Sequence, residues 1–136
     1  MPTGTCNCGA VAFEIRQPYR FFQYCHCSRC RKRSGSIHAA NLAVMVDQLT
    51  WLRGESNVKR FEHPAAKSWS NCFCDTCGSG LPWLTRNGKA FIVPAGALDD
   101  DPIERPNRNI HMSSRAVWEV PAATLPAFDD EPPPGK

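Results

Sequence analysis

The sequence has no apolar run approaching the roughly 18 residues that a bilayer-crossing helix requires, and little net positive charge. The first absence argues against a transmembrane helix. The second, a formal charge of only +3 over 136 residues, leaves a nucleic-acid partner without its usual electrostatic footprint. The opening Met1-Pro2-Thr3-Gly4-Thr5 lacks the basic and apolar regions of a secretory leader, so we expect no export and a cytoplasmic location. No tandem repeat of fold size is present. Long helical stretches are missing too, because twelve prolines and nine glycines are spread along the chain and favour short strands joined by turns. Asp99-Asp100-Asp101-Pro102 lacks the spaced ligands of a calcium loop and reads as solvated.

What is present is a globular composition, 42% hydrophobic and 21% charged, in a length that suits one core. We expect a single domain over 1–128 and a disordered acidic, proline-rich tail over 129–136. The chain also carries eight cysteines. Without an export signal they point to metal ligands rather than disulfides. The C-x-C spacing within the clusters would also strain a local bridge badly.

Cys25-His26-Cys27-Ser28-Arg29-Cys30 places three thiols within six positions. If Cys25 and Cys27 end a strand, the period of two puts their sulfurs on one face and His26 on the other. A turn through Ser28 and Arg29 then swings Cys30 to the same point. The ion suited to such a trio is zinc, which takes thiolates at about 2.3 Å in a tetrahedron. Three ligands leave one corner for chemistry, which separates catalytic from structural zinc.

Val11–Arg16, Phe21–Tyr24, Ile37–Val46, Leu49–Arg53, Val58–Phe61 and Lys67–Phe73 read as strands, as does Ala116–Val120 near the end. Leu81–Leu84 and Ala90–Val93 flank Asn87-Gly88, a strong hairpin turn. Arg31-Lys32-Arg33-Ser34-Gly35-Ser36 is a basic turn or short helix with a glycine stop.

Cys6-x-Cys8-Gly9 and Cys74-x-x-Cys77-Gly78 are short thiol pairs closed by glycine, natural halves of one four-thiolate structural site. Cys25, Cys27 and Cys30 form the second site. Cys72 is the undecided thiol: it can be a fourth ligand of the second site, which would close the open corner, or a small buried hydrophobe, the reading we favour. His26 reads as a packed residue rather than a ligand, and Trp51, Trp69, Trp83 and Trp118 as core and sheet packing.

Together, Cys6-x-Cys8-Gly9, the run from Cys25 to Ser36 and Cys74-Asp75-Thr76-Cys77-Gly78-Ser79-Gly80-Leu81 resemble the glutathione-dependent formaldehyde-activating enzyme family. Gly96-Ala97-Leu98-Asp99-Asp100, Ser113–Trp118 and Leu125-Pro126-Ala127-Phe128 are similar to its later motifs. The resemblance implies a mainly β fold, a zinc-stapled tent of several short antiparallel sheets with little helix. It implies two zinc ions per chain, a structural one on Cys6, Cys8, Cys74 and Cys77 and a catalytic one on Cys25, Cys27 and Cys30. It also implies a carbon–sulfur lyase-type activity in which glutathione adds to formaldehyde, giving S-hydroxymethylglutathione, or a related small thiol meets an aldehyde. The chain departs from the family at Cys72 and at Asn109-Ile110, where relatives often carry His-Ile.

Arg29, Arg31, Lys32 and Arg33 follow or interrupt the site. They read either as a solvated basic turn or as receivers for the carboxylates of a thiol such as glutathione, Arg being suited to bidentate pairing. For such an enzyme Arg29 and Arg31, with Gly35 and Ser36, are the expected substrate contacts. The rival is a non-catalytic binding module with both zincs structural. Coordination at the second zinc separates the two: Cys72 or His26 as fourth donor would favour the module.

Overall fold

Short alternating segments broken by Pro, Gly and Asn give eleven strands and one α-helix among the described residues. In order they are β1 (Thr3–Thr5), β2 (Ala12–Ile15), β3 (Phe21–Cys25), α1 (Ser28–Ser34), β4 (Ala39–Met45), β5 (Leu49–Arg53), β6 (Val58–Glu62), β7 (Ser70–Cys74), β8 (Gly80–Leu81), β9 (Trp83–Leu84), β10 (Ala90–Pro94) and β11 (Asn109–Ile110). The computed structural model describes residues 1–135; Lys136, which ends the expected tail, lies outside the described residues. No described helix is long and apolar enough to cross a membrane.

The strands make three small sheets, ordered β1-β2-β5, β11-β3-β4-β10-β9 and β6-β7-β8. Every pairing is antiparallel except β11 on β3. Such short strands cannot each bury a face alone, so the sheets share one core. Phe13 and Ile15 of β2, Leu42 and Val44 of β4, Leu81 of β8 and Val93 of β10 are all fully buried in it. Trp51 of β5 closes one side, edge-on to Phe13 at 6.1 Å and to Phe91 at 6.3 Å, a favoured aromatic geometry.

Two strand expectations change. The segment expected to pair from Lys67 begins its ladder only at Ser70. Its preceding loop is held instead by Arg86, which donates to the carbonyls of His63, Ala66 and Trp69. Ala116–Val120 is not a strand: Ala116 is buried, whereas Val117 is fully exposed and Trp118 is 62% exposed. Its apolar residues imitate a strand, but no neighbouring edge accepts it, so the chain runs through turns. Trp118 therefore contributes no core packing.

The acidic loop is occupied by the fold itself. Asp99 accepts from the Thr5 hydroxyl at 2.7 Å, and Asp100 accepts from the Thr3 N–H at 2.8 Å and hydroxyl at 2.9 Å. Asp101 accepts from Ile103 N–H and from Arg105 at 2.7 Å each. These bonds pin β1 to a loop more than ninety residues away (|i−j| 94 and 97) and hold the first cysteine pair in place.

Candidate metal centres

Seven of the eight cysteines gather at two points. The sulfurs of Cys6, Cys8, Cys74 and Cys77 all lie within 4.8 Å of one another, as do those of Cys25, Cys27 and Cys30.

The four-sulfur group is built from two glycine-closed turns. After Cys6, Gly9 N–H donates to Cys6 O at 2.9 Å and Val11 N–H to Cys6 Sγ at 3.2 Å. After Cys74, Gly78 N–H donates to Cys74 O at 2.9 Å and Thr76 N–H to Cys74 Sγ at 3.4 Å. Gly9 and Gly78 close these turns at φ of +80° and +76°, a conformation that favours glycine. Asn7 N–H donates to Ser79 Oγ at 2.9 Å and links the turns. Neighbouring sulfurs stand 3.6 Å (Cys6–Cys8) and 3.8 Å (Cys8–Cys74) apart. A tetrahedron with about 2.3 Å zinc–sulfur bonds has edges of about 3.8 Å, so these four residues fit zinc.

The thiols of this group pull one another apart. Burial pushes Cys6 up, but the Val11 N–H and the neighbouring thiols outweigh it, so Cys6 lies below the usual thiol range. Cys77 falls to about 5, chiefly through the hydroxyl and N–H of Ser79. Cys8 rises to about 11: the lowering by Ala10 N–H is overcome by desolvation and the other sulfurs. Thiolates beside thiols in one cage are what a soft cation replaces the protons of.

The three-sulfur group sits where β3 runs into α1. Cys25 ends β3 and pairs with Ala39 across β4 and with Ile110 across β11. Cys27 lies beyond the strand, in extended conformation, as the N-cap of α1, its sulfur accepting from Cys30 N–H at 3.4 Å. Cys30 lies in the first turn of α1, which ends at Gly35 in the left-handed region. Strand, cap and helix each supply one sulfur. A hydrogen bond with Cys30 lowers Cys25 to about 5, and the same contact, with burial, pushes Cys30 well above the thiol range. Three soft donors at this spacing fit zinc.

His26, only 2% exposed, faces away from the sulfurs' role. Its Nε2 is 3.0 Å from Asn109 Oδ1. Glu119 Oε1 lies 3.2 Å from Nδ1, out of line for a hydrogen bond. His38 packs edge-on against His26 at 5.2 Å and stacks on Tyr24 at 4.0 Å. Burial, then His26, pushes the His38 imidazole down toward its neutral form. Cys72 belongs to neither sulfur group. It is buried in the main core with Leu81 and Val93, and desolvation raises its pKa.

Of the residues expected to meet substrate, Arg29 and Arg31 are half-buried on α1, and Gly35 and Ser36 are exposed just past it. The nearby cavity of about 540 Å³ is lined instead by Arg33, Ser34, His38 and Ala39, together with Asn7, Asn71 and Gly78–Gly80. Sequence reasoning noted Asn109 only as a departure and placed Glu119 in a strand. Nothing in the local pattern signals that both converge on His26, because β11 has only two residues and pairs in parallel across 85 positions.

Comparison with known proteins gives consistent matches. The model of a family described as "Glutathione-dependent formaldehyde-activating enzyme" matches residues 1–114. A Halomonas elongata protein, provisionally given that same enzyme name, is 30% identical over 113 residues, covering 80% of this chain and 72% of its own length. A crystal structure of a Rhodobacter sphaeroides protein, a structural genomics target, superposes with a TM-score of 0.61 at 25% identity, over 79% of this chain and 98% of that one.

Proposed function

The chain belongs to the glutathione-dependent formaldehyde-activating enzyme family, and from that premise we propose that it joins a small thiol to an aldehyde at the Cys25/Cys27/Cys30 centre. Glutathione and formaldehyde are the pair that the family name supplies. The observation that carries this reading is the inequality of the two clusters, four sulfurs in one and three in the other.

The residues divide the work. Cys6, Cys8, Cys74 and Cys77 hold a structural zinc that ties the N-terminal turn to the chain's middle. Cys25, Cys27 and Cys30 hold the second zinc. Bound there, zinc supplies a soft Lewis acid with a position for one more donor, which favours the thiolate form of an incoming thiol. Cys72 is kept from that position by the core that encloses it, and His26 by Asn109 and Glu119.

In the addition, the thiol's sulfur bonds to the carbonyl carbon and the carbonyl π pair moves to oxygen. The proton released by the thiol ends on that oxygen. The reverse breaks the C–S bond, which is lyase chemistry. Arg29 and Arg31, beside Cys30 on α1, and the Gly35-Ser36 turn bind and orient the thiol, and orientation within about 3–3.5 Å of the aldehyde supplies much of the rate.

The test is the rate of S-hydroxymethylglutathione formation above the spontaneous reaction. Zinc-loaded protein accelerates it, and Cys30→Ser abolishes the acceleration. No acceleration with glutathione or any smaller thiol would overturn the reading.

A further inference from the structure

Arg33 lies three residues after Cys30, on the same face of α1, and is one of the residues lining the 540 Å³ cavity. Only one of its nitrogens is engaged: Nε donates to Asn71 Oδ1 at 2.8 Å. Its Nη2 is buried without a partner. Among the described residues it forms no ion pair, and no Asp or Glu lines the cavity.

The position is held open for this side chain. A Cβ on Gly80 would fall 2.3 Å from Arg33 Nη2, so a larger residue there would expel the guanidinium. Burial disfavours its charge, and the sulfurs of Cys30 and Cys72 offset this only in part; neither accepts a hydrogen bond from it. A buried charge with idle donors is costly unless something completes its shell. Two further donors lie in the same wall, since the side-chain amide N–H groups of Asn7 and Asn71 make no hydrogen bond among the described residues.

We propose that this cavity is a carboxylate pocket, in which Arg33, with the amides of Asn7 and Asn71, receives an acidic end of the thiol substrate. The inference rests on the thiol reading above and extends it from the sulfur to the other end of the molecule. One turn of α1 separates Cys30 from Arg33, so a thiol carrying a carboxylate several bonds from its sulfur spans the two. A carboxylate-free thiol engages the sulfur centre alone. Arg33 is thus a specificity residue for acidic thiols.

S-methylglutathione separates the two ends, because it keeps both carboxylates and has no free thiol. Binding to the zinc-loaded protein is measured by calorimetry for the wild type, Arg33→Gln, Gly96→Asp and Gly96→Ala. Gly96 lines the cavity and a Cβ there meets nothing within 4 Å, so Gly96→Asp adds a carboxylate without removing any contact and guards against misfolding of the Arg33 variant. We expect Arg33→Gln and Gly96→Asp to weaken binding by about 10- to 100-fold, the range for a charged hydrogen bond, and Gly96→Ala to leave it unchanged. The dimethyl ester of S-methylglutathione binds the wild type as weakly as the acid binds Arg33→Gln.

No binding by the wild type, charge variants that both bind as tightly as the wild type, or equal binding of acid and ester would each overturn the pocket. The thiol reading fails separately, if the wild type binds S-methylglutathione through Arg33 yet adds no thiol to any aldehyde.

Discussion

Cys8 Sγ lies 3.8 Å from Cys74 Sγ although 66 residues separate them. That contact joins the N-terminal turn to the knuckle after β7, and the loop it closes includes both β3 and α1. The second cysteine centre therefore lies inside a segment whose ends are stapled by the first. A structural zinc in such a place contributes on the order of 10–16 kcal/mol of apparent binding energy, comparable with the whole stability of a domain this size.

The two centres should consequently fail in different ways. Cys74→Ser is expected to lose its structural zinc and unfold, with loss of the dispersed amide spectrum. Cys30→Ser is expected to keep that spectrum, retain one zinc and lose activity. Circular dichroism, amide NMR and zinc content on both variants check this, and equal loss of fold would contradict the division of labour.

Cys72 separates packing from ligation. It is buried among Leu81, Val93 and their neighbours, so Cys72→Ala removes one sulfur and leaves a small cavity. The expected cost is about 1–2 kcal/mol, seen as a lower urea midpoint, with two zinc ions per chain retained. Loss of a zinc in this variant would make Cys72 a ligand.

Asp100 gives a pH signature. Its carboxylate accepts from the N–H and then the hydroxyl of Thr3, which holds it below the usual carboxylate range. A depressed folded value means that the unfolded chain takes up a proton first. The stabilisation is therefore complete above the unfolded value of about 4 and is lost as pH falls through the depressed one. Urea midpoints of the wild type and Asp100→Asn should differ by a constant amount from pH 5 to 7 and converge below about pH 4. A difference that grows on acidification would contradict the clamp.

The mainly β architecture and the short cysteine pairs were legible because both depend on local signals. Alternation, the Asn87-Gly88 turn and the glycines after Cys8 and Cys77 each specify their own few residues. The helix stop at Gly35 was legible for the same reason. The surroundings of the second centre were not. Cys27 is a helix cap rather than the last strand residue, because the chain turns at His26 where β11 joins β3. Glu119 reaches His26 from a turn whose apolar neighbours imitate a strand. In sequence Arg33 is one of four basic residues that could receive a carboxylate, and only the packing of Gly80 against it singles it out from Arg29, Arg31 and Lys32. Each of these depends on contacts between distant segments, which no local period encodes.

The decisive measurement is an anomalous-scattering map at the zinc edge from crystals soaked in glutathione. Two peaks per chain are expected, one enclosed by the sulfurs of Cys6, Cys8, Cys74 and Cys77. The other should be bound by Cys25, Cys27 and Cys30, with the soaked thiol as its remaining donor. A single peak, or a second peak whose shell is completed by Cys72 or His26 and excludes the thiol, would contradict this assignment.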